Sequence, residues 1–158
     1  MSSHLTLRPV EAGDQPFLLA LVESTREDFA ILDHTVKAML VRMQYEAQLT
    51  DYRRRFPSME ESIVLADGVA AGRLYVARGQ DEIRLADISL LPAFRGQGIG
   101  YRLLARLQDA SQRSGLPLRL HVLQDNRAGA LYRRLGFQPG ETDGLYIAME
   151  WHPILLKE

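Results

Sequence analysis

The sequence predicts an α/β fold, a mixed sheet with helices on its faces, and three observations carry that expectation. Short apolar runs bounded by turn residues recur at 63–66, 69–76, 83–91, 116–123 and 145–151, the mark of strands. Two earlier stretches, within 14–22 and 35–56, carry apolar residues at helical spacing instead. Beyond residue 98 helix and strand patterns alternate, which calls for helices packed over a sheet.

The elements follow in order. Residues 5–8 read as a first strand, with Pro9 disfavouring interior pairing beyond it. Asp14 suits the cap of a helix whose stripe is Phe17, Leu18, Leu21 and Val22. Acidic Glu23, Glu27 and Asp28 surround Thr25 and Arg26 at a break. A second helix runs over 35–56, its apolar positions Val36, Met39, Leu40, Met43 and Ala47, and Pro57 ends it. Its basic run Arg53, Arg54 and Arg55 suits a helix C-terminus and its dipole. The strands at 63–66 and 69–76 are joined by Asp67 and Gly68, a tight-turn pair. A strand over 83–91 stops at Pro92. Gly98, Ile99 and Gly100 open a helix bearing Leu103, Leu104, Leu107 and Ala110, and Gly115 closes it. A strand at 116–123, a short helix at about 127–135 closed by Gly136, an extended segment from Phe137 and a last strand at 145–151 complete the chain.

At 158 residues, 46% hydrophobic and 25% charged, the chain fits a single domain spanning 1–158. Nineteen Lys and Arg against 20 Asp and Glu give a formal charge of −1, so no global field favours nucleic acid. There is no cysteine, which excludes a disulfide scaffold, a thiolate nucleophile and a cysteine-ligated metal. The four histidines, His4, His34, His121 and His152, are far apart in sequence, so no metal is expected. No targeting leader or run of about 20 apolar residues is seen, which makes a cytoplasmic address and no membrane association the expectation.

The chemistry concentrates at Arg95, Gly96, Gln97, Gly98, Ile99 and Gly100, where a strand passes into a helix. A helix start leaves backbone N–H groups without internal partners, and glycines let an anion approach them closely. Arg95 adds positive charge beside that site. The alternative is a glycine-containing helix cap with an exposed arginine. The turn is no nucleotide P-loop, for Gly-Lys-Ser and Gly-Lys-Thr are absent, and its glycines do not follow the dinucleotide spacing. Local physics alone makes it an anion cradle whose ligand stays open.

With Arg95, Gly98 and Gly100 in their places, this turn resembles the acetyl-CoA-binding motif of the GNAT superfamily of acyl-CoA-dependent N-acyltransferases. The segment 123–137, with Asn126, Tyr132, Gly136 and Phe137, resembles the family's cofactor and catalytic segment. The resemblance implies a GNAT-like central mixed twisted sheet in which 83–91 and 116–123 are splayed to admit the acyl-CoA. It implies acetyl-CoA as acyl donor, backbone groups of Ile88 and Leu90 on the cofactor arm or thioester carbonyl, and residues 95–100 on the phosphates. Asn126 would orient the pantetheine amide or Tyr132, and Tyr132 would protonate the leaving thiolate. Alone, Tyr132 reads as a packing residue and Asn126 as a helix cap.

Asp87, an acid within an apolar strand, and His121 are candidate proton acceptors, with solvent the third option. The implied activity is transfer of acetyl to an unidentified primary amine by direct attack on the thioester. The acceptor is an amine-bearing small molecule or a protein. Arg26, Asp28, Gln44, Tyr45 and Glu46 on one side, and Glu141, Asp143 and Tyr146 on another, are candidate walls for it. The alternative is a catalytically inactive CoA-binding sensor or protein-interaction domain. A strand edge leaves a homodimer possible.

Overall fold

A computed structural model describes residues 3–154. The strands are β1 (Leu5–Pro9), β2 (Glu60–Ala66), β3 (Val69–Arg78), β4 (Ile83–Leu90), β5 (Leu118–Leu123), β6 (Gln138–Thr142) and β7 (Tyr146–Trp151). The helices are α1 (Gln15–Glu23), α2 (His34–Arg55), α3 (Ile99–Ser114) and α4 (Ala128–Arg134). The strands hydrogen-bond in the order β1-β2-β3-β4-β5-β7-β6. β4 and β5 run parallel, whereas β1 with β2, β5 with β7 and β6 with β7 are antiparallel, so the sheet is mixed as the sequence predicts.

Two compact units divide the chain, Met1–Tyr75 with Asp87–Arg95 and Val76–Ala86 with Gly96–Glu158. In the first, β1 pairs with β2 from Leu5 opposite Ala66 to Pro9 opposite Ser62. Its core gathers Leu18 and Val22 of α1, Phe29, Val41 and Tyr45 of α2, and Ile63. Asp14 precedes α1 but makes no side-chain bond to its first turn. Its carboxylate instead accepts both guanidinium nitrogens of Arg8, at 2.7 and 2.8 Å, and the Glu11 N–H at 2.7 Å. The Arg8 bonds, foremost, and the Glu11 N–H hold its pKa down at about 2. The break after α1 contains a 3₁₀ turn at Glu27–Ile31. The Asp67–Gly68 connection has φ of +50° and +80°, the left-handed pair that a two-residue hairpin with native strand twist requires.

α2 departs from the sequence reading of its packing. Its buried side is Val41 and Tyr45, with Leu40 and Leu49 partly buried beside them. Val36, Met39 and Met43, given above as apolar positions at helical spacing, are 39, 55 and 58% exposed.

In the second unit Leu103, Leu104 and Leu107 of α3 are buried, and α3 and α4 both contact β5. Leu118, Leu120 and Val122 of β5 are buried, while Arg119, His121 and Leu123 alternate onto the other face. β5 and β7 pair along their whole lengths, Leu118 opposite Trp151 to Leu123 opposite Tyr146. The parallel ladder of β4 with β5 consists of Ile83 with Leu118 and Arg84 with Arg119. Two residues past the end of α4, Gly136 has φ +94°, and an added Cβ there would lie 3.5 Å from the indole of Trp151.

Candidate functional site

The glycine turn has the backbone that an anion site needs. Gly96 and Gly98 adopt φ of +72° and +81°, a region that costs other L-residues roughly 1–2 kcal/mol. A Cβ placed on either would meet nothing within 4 Å, so the space above the turn is open. Gly98 is the N-cap of α3, and its carbonyl accepts the Arg102 N–H at 3.0 Å. The N–H groups of Ile99, Gly100 and Tyr101 lie too early in α3 to have an acceptor within it, leaving a cluster of partial positive charge at its mouth. The side chain of Ile99 is 2% exposed and anchors the turn, while Gly96, Gln97 and Gly98 are exposed. At Gly100 a Cβ would stand 3.6 Å from Leu131 Cδ2, an ordinary contact distance between the start of α3 and α4.

That contact falls one residue before Tyr132. The Tyr132 side chain is 5% exposed, and its ring stands edge-on to Phe137 with centroids 5.6 Å apart. Its carbonyl accepts the N–H groups of Leu135 at 3.2 Å and Phe137 at 3.0 Å, closing α4 below it. Asn126 holds the other end of α4, its Oδ1 accepting the Ala128 N–H at 2.9 Å and its carbonyl accepting the Gly129 N–H at 3.1 Å. Asn126 thus braces the start of α4 from one residue before its N-cap, Arg127. The glycine turn, Asn126 and Tyr132 belong to one compact unit.

Asp87, Ile88, Leu90 and Arg95 belong to the first unit. Asp87 is ion-paired with Arg73 of β3, whose guanidinium also donates to Gln48 Oε1 at 3.0 Å; Ser89 Oγ donates to Asp87 at 3.1 Å. Arg73 is 4% exposed. Burial pulls its pKa down, but the charge and bond of Asp87 outweigh that and leave it above the ordinary arginine value. Neither Arg73 nor Gln48 was marked by the sequence reading, although a charged residue inside the apolar run of β3 was the available signal. Arg95 folds back, donating from Nε to the Leu90 carbonyl at 2.9 Å and from a terminal nitrogen to Ser24 Oγ at 3.4 Å. Gly72 is also unforeseen: a Cβ there would be 2.1 Å from the Ser89 carbonyl oxygen, so the close approach of β3 to this part of β4 depends on its absence.

His121 lies on the face of β5 opposite Leu120 and Val122, exposed, with its Nδ1 2.9 Å from a terminal nitrogen of Arg84. A guanidinium has no acceptor, so Nδ1 receives this bond. Around it Glu82 bonds Arg84 at 2.7 Å and Arg119 at 3.3 Å, and Glu150 bonds Arg119 at 3.0 Å and His152 at 3.2 Å. Among the described residues no group of three or more His, Cys, Asp or Glu side chains could hold a metal ion. No described helix is long and apolar enough to cross a membrane.

Residues 59–139, just over half of the chain, match the family model described as the acetyltransferase (GNAT) domain. The chain belongs to the GNAT acetyltransferase family. The GNAT fold is found again in solved structures. PaiA N-acetyltransferase from Thermoplasma acidophilum, in complex with coenzyme A, is 20% identical with a TM-score of 0.69, covering 94% of this chain and 99% of that one. An acetyltransferase from Thermus thermophilus is 21% identical with a TM-score of 0.68, covering 96 and 99%. The ribosomal-protein-S18-alanine N-acetyltransferase of Escherichia coli is 23% identical with a TM-score of 0.64, covering 98 and 97%. At these identities the likeness is one of GNAT fold. No curated protein matches the chain at a significant level.

Proposed function

We propose that this GNAT chain transfers an acetyl group from acetyl-CoA to a primary amine by direct attack of the amine on the thioester. The observation that carries the reading is the open left-handed glycine turn at the mouth of α3, seated through Gly100 against the helix that bears Tyr132. The coenzyme A bound by the relative from Thermoplasma acidophilum supports the same ligand class here.

Acetyl-CoA supplies an activated acyl group whose sulfur leaves as a thiolate. The N–H groups of Ile99, Gly100 and Tyr101 would donate to its phosphates, with Gly96 and Gly98 allowing the approach and Gln97 on the rim. Arg95 contributes charge, while its Nε stays on the Leu90 carbonyl. The Asn126 amide nitrogen would donate to a carbonyl of the pantetheine arm. Tyr132, a phenol that is ordinarily protonated at neutral pH, would donate its proton to the departing thiolate. The roles of Ile88 and Leu90 rest on the family resemblance. The chain has no cysteine, so no thioester acyl-enzyme can form, which supports direct attack.

For the amine's own proton we assign solvent. The Asp87 carboxylate is committed to Arg73 and Ser89, so taking a proton there would disrupt a buried pair. The imidazole of His121 is engaged by Arg84 on the face of β5 opposite Leu120 and Val122. This same engagement of both acceptors favours the second reading, a CoA-binding sensor that performs no transfer.

The test is acetyl-CoA turnover across amine classes (protein N-termini, lysine peptides, amino acids and polyamines) with mass detection of the product. Transfer to any class is expected, with Tyr132→Phe lowering kcat by about 10²-fold or more while CoA affinity changes little. Saturable CoA binding with no product from any amine would select the sensor, and undiminished kcat in Tyr132→Phe would remove Tyr132 as the acid.

A further inference from the structure

We infer that the acceptor is a small amine carrying its own carboxylate, of the α-amino acid class, and that Arg73 selects it by donating from Nη1 to that carboxylate. The inference deepens the acetyl-transfer reading and rests on it, since it names the acceptor of that reaction.

The first observation is how the buried guanidinium of Arg73 is held. Its Nε is paired with Asp87, its Nη2 donates to Gln48 Oε1 at 3.0 Å, and its central carbon stands 5.0 Å from the centre of the Tyr75 ring. These contacts fix the group and leave one nitrogen over. Nη1 donates to no protein group, yet it is not fully enclosed, for among the described residues the Tyr75 hydroxyl is the one enclosed side-chain polar atom without a partner. Nη1 therefore reaches accessible space. A cation fixed in orientation with one open nitrogen is a ready donor to an anion, and little freedom is lost when the bond forms.

The second observation is the charge that the pair presents. Asp87 accepts from both Arg73 and Ser89 through Oδ2, while its Oδ1 is likewise unbonded and not enclosed, the side chain being 18% exposed. A lone carboxylate would favour an amine with positive charge alone, but here the guanidinium cancels it. What remains is one open donor of positive sign and one open acceptor of negative sign, on two side chains bonded to each other. A zwitterion complements both. A polyamine would leave Nη1 unmatched, and a simple anion would leave Oδ1 unmatched. Nor does stability call for the pair, since apolar residues of similar volume often serve as well as a buried ion pair or better.

The third observation is place. Gln48, Arg73, Asp87, Ser89 and Leu90 belong to one compact unit. Ser89, bonded to Asp87, immediately precedes Leu90, whose backbone the acetyl-transfer reading puts on the cofactor arm or thioester. One to three strand residues separate the pair from that point, about 3–10 Å along β4. In an α-amino acid a single carbon separates amine from carboxylate, so both fit within that span. A protein lysine or N-terminus has its neighbouring carboxyl group tied up in a peptide bond and offers Nη1 no charge.

Titration calorimetry of the full chain with CoA present, comparing free amino acids with the matching amino acid amides, tests this without turnover. At least one amino acid is expected to bind saturably, and its amide about 10-fold or more weaker, for want of the charged partner. Arg73→Met should bring acid and amide within about 2-fold of each other. Arg73→Lys, which keeps a buried cation but not the planar fork, serves if the first variant fails to fold, and should lose about 10-fold in amino acid affinity. No binding of any amino acid, an amide that binds as tightly as its acid, or an undiminished preference for the acid in the Arg73 variants would each overturn the inference. Turnover separates it from the reading beneath it. Amino acid binding with no acetylated product would overturn acetyl transfer and leave the amino acid site standing, whereas product from peptides or polyamines and none from amino acids would overturn the inference and leave acetyl transfer standing.

Discussion

Tyr75 carries a cost that nothing around it offsets. The residue is 1% exposed, and its hydroxyl is the one buried side-chain polar atom among the described residues without a hydrogen-bond partner. Its ring is satisfied by the edge of Tyr52, with centroids 6.1 Å apart, and by the Arg73 guanidinium 5.0 Å away. An unsatisfied buried hydroxyl costs about 1–3 kcal/mol, so Tyr75→Phe should stabilise the protein by roughly 1 kcal/mol at pH 7, measured by urea unfolding. Burial pushes the phenol's pKa up to about 12. The unfolded phenol releases its proton near pH 10, so between about 10 and 12 the folded state binds more protons and this residue's contribution to stability falls as pH rises. Tyr75→Phe should flatten that part of the profile; an unchanged slope would show that other groups govern it. At this scale the sequence was partly legible. Asp87 stood out as an acid in an apolar strand, but its meaning lay in Arg73, fourteen residues earlier, and only strand pairing brings the two anomalies together to explain each other.

Among the elements, β3 and the end of β4 are held close by a missing side chain. Gly72→Ala would drive a methyl group onto the Ser89 carbonyl oxygen and the Leu90 backbone. A main-chain oxygen cannot turn aside like a flexible side chain, so the strand must move, at a cost of about 1–3 kcal/mol. Thermal unfolding of that variant should show a lower midpoint, and wild-type stability would mean that the strands can separate freely there. Strands, helix ends and the Asp67–Gly68 hairpin were readable because local rules decide them. The packing of α2 was not. Val36, Met39, Met43 and Ala47 satisfy a helical period as well as Leu40, Val41, Tyr45 and Leu49 do, and periodicity cannot say which stripe the sheet will cover. The cap of α1 failed for a related reason: Asp14 suits an N-cap, but Arg8 is a stronger partner for its carboxylate than the helix N–H groups.

For the whole molecule, the glycine turn gives the proposed function a thermodynamic signature that does not depend on turnover. A ligand bound only by the folded state stabilises it by about 2.7 kcal/mol at one hundred times its Kd. For a chain of this size that is roughly 5–11 °C in Tm. On the proposed function CoA should produce such a shift, whereas pantetheine at equal concentration should not, because it lacks the phosphates assigned there to the α3 mouth. An equal shift with pantetheine would move the main binding contact away from residues 96–100. The site's composition was legible because the glycine turn and the 123–137 segment are local motifs; which face of β5 carries His121 was settled by alternation along a strand whose register the sequence leaves open. The meeting of Gly136 with the indole of Trp151 has a practical outcome. Trp151 is the only tryptophan in the chain, and its indole lies 3.5 Å from where a Cβ on Gly136 would stand, just past the helix bearing Tyr132. Its emission is therefore a built-in optical gauge of order at that corner, readable during a titration without attaching a dye.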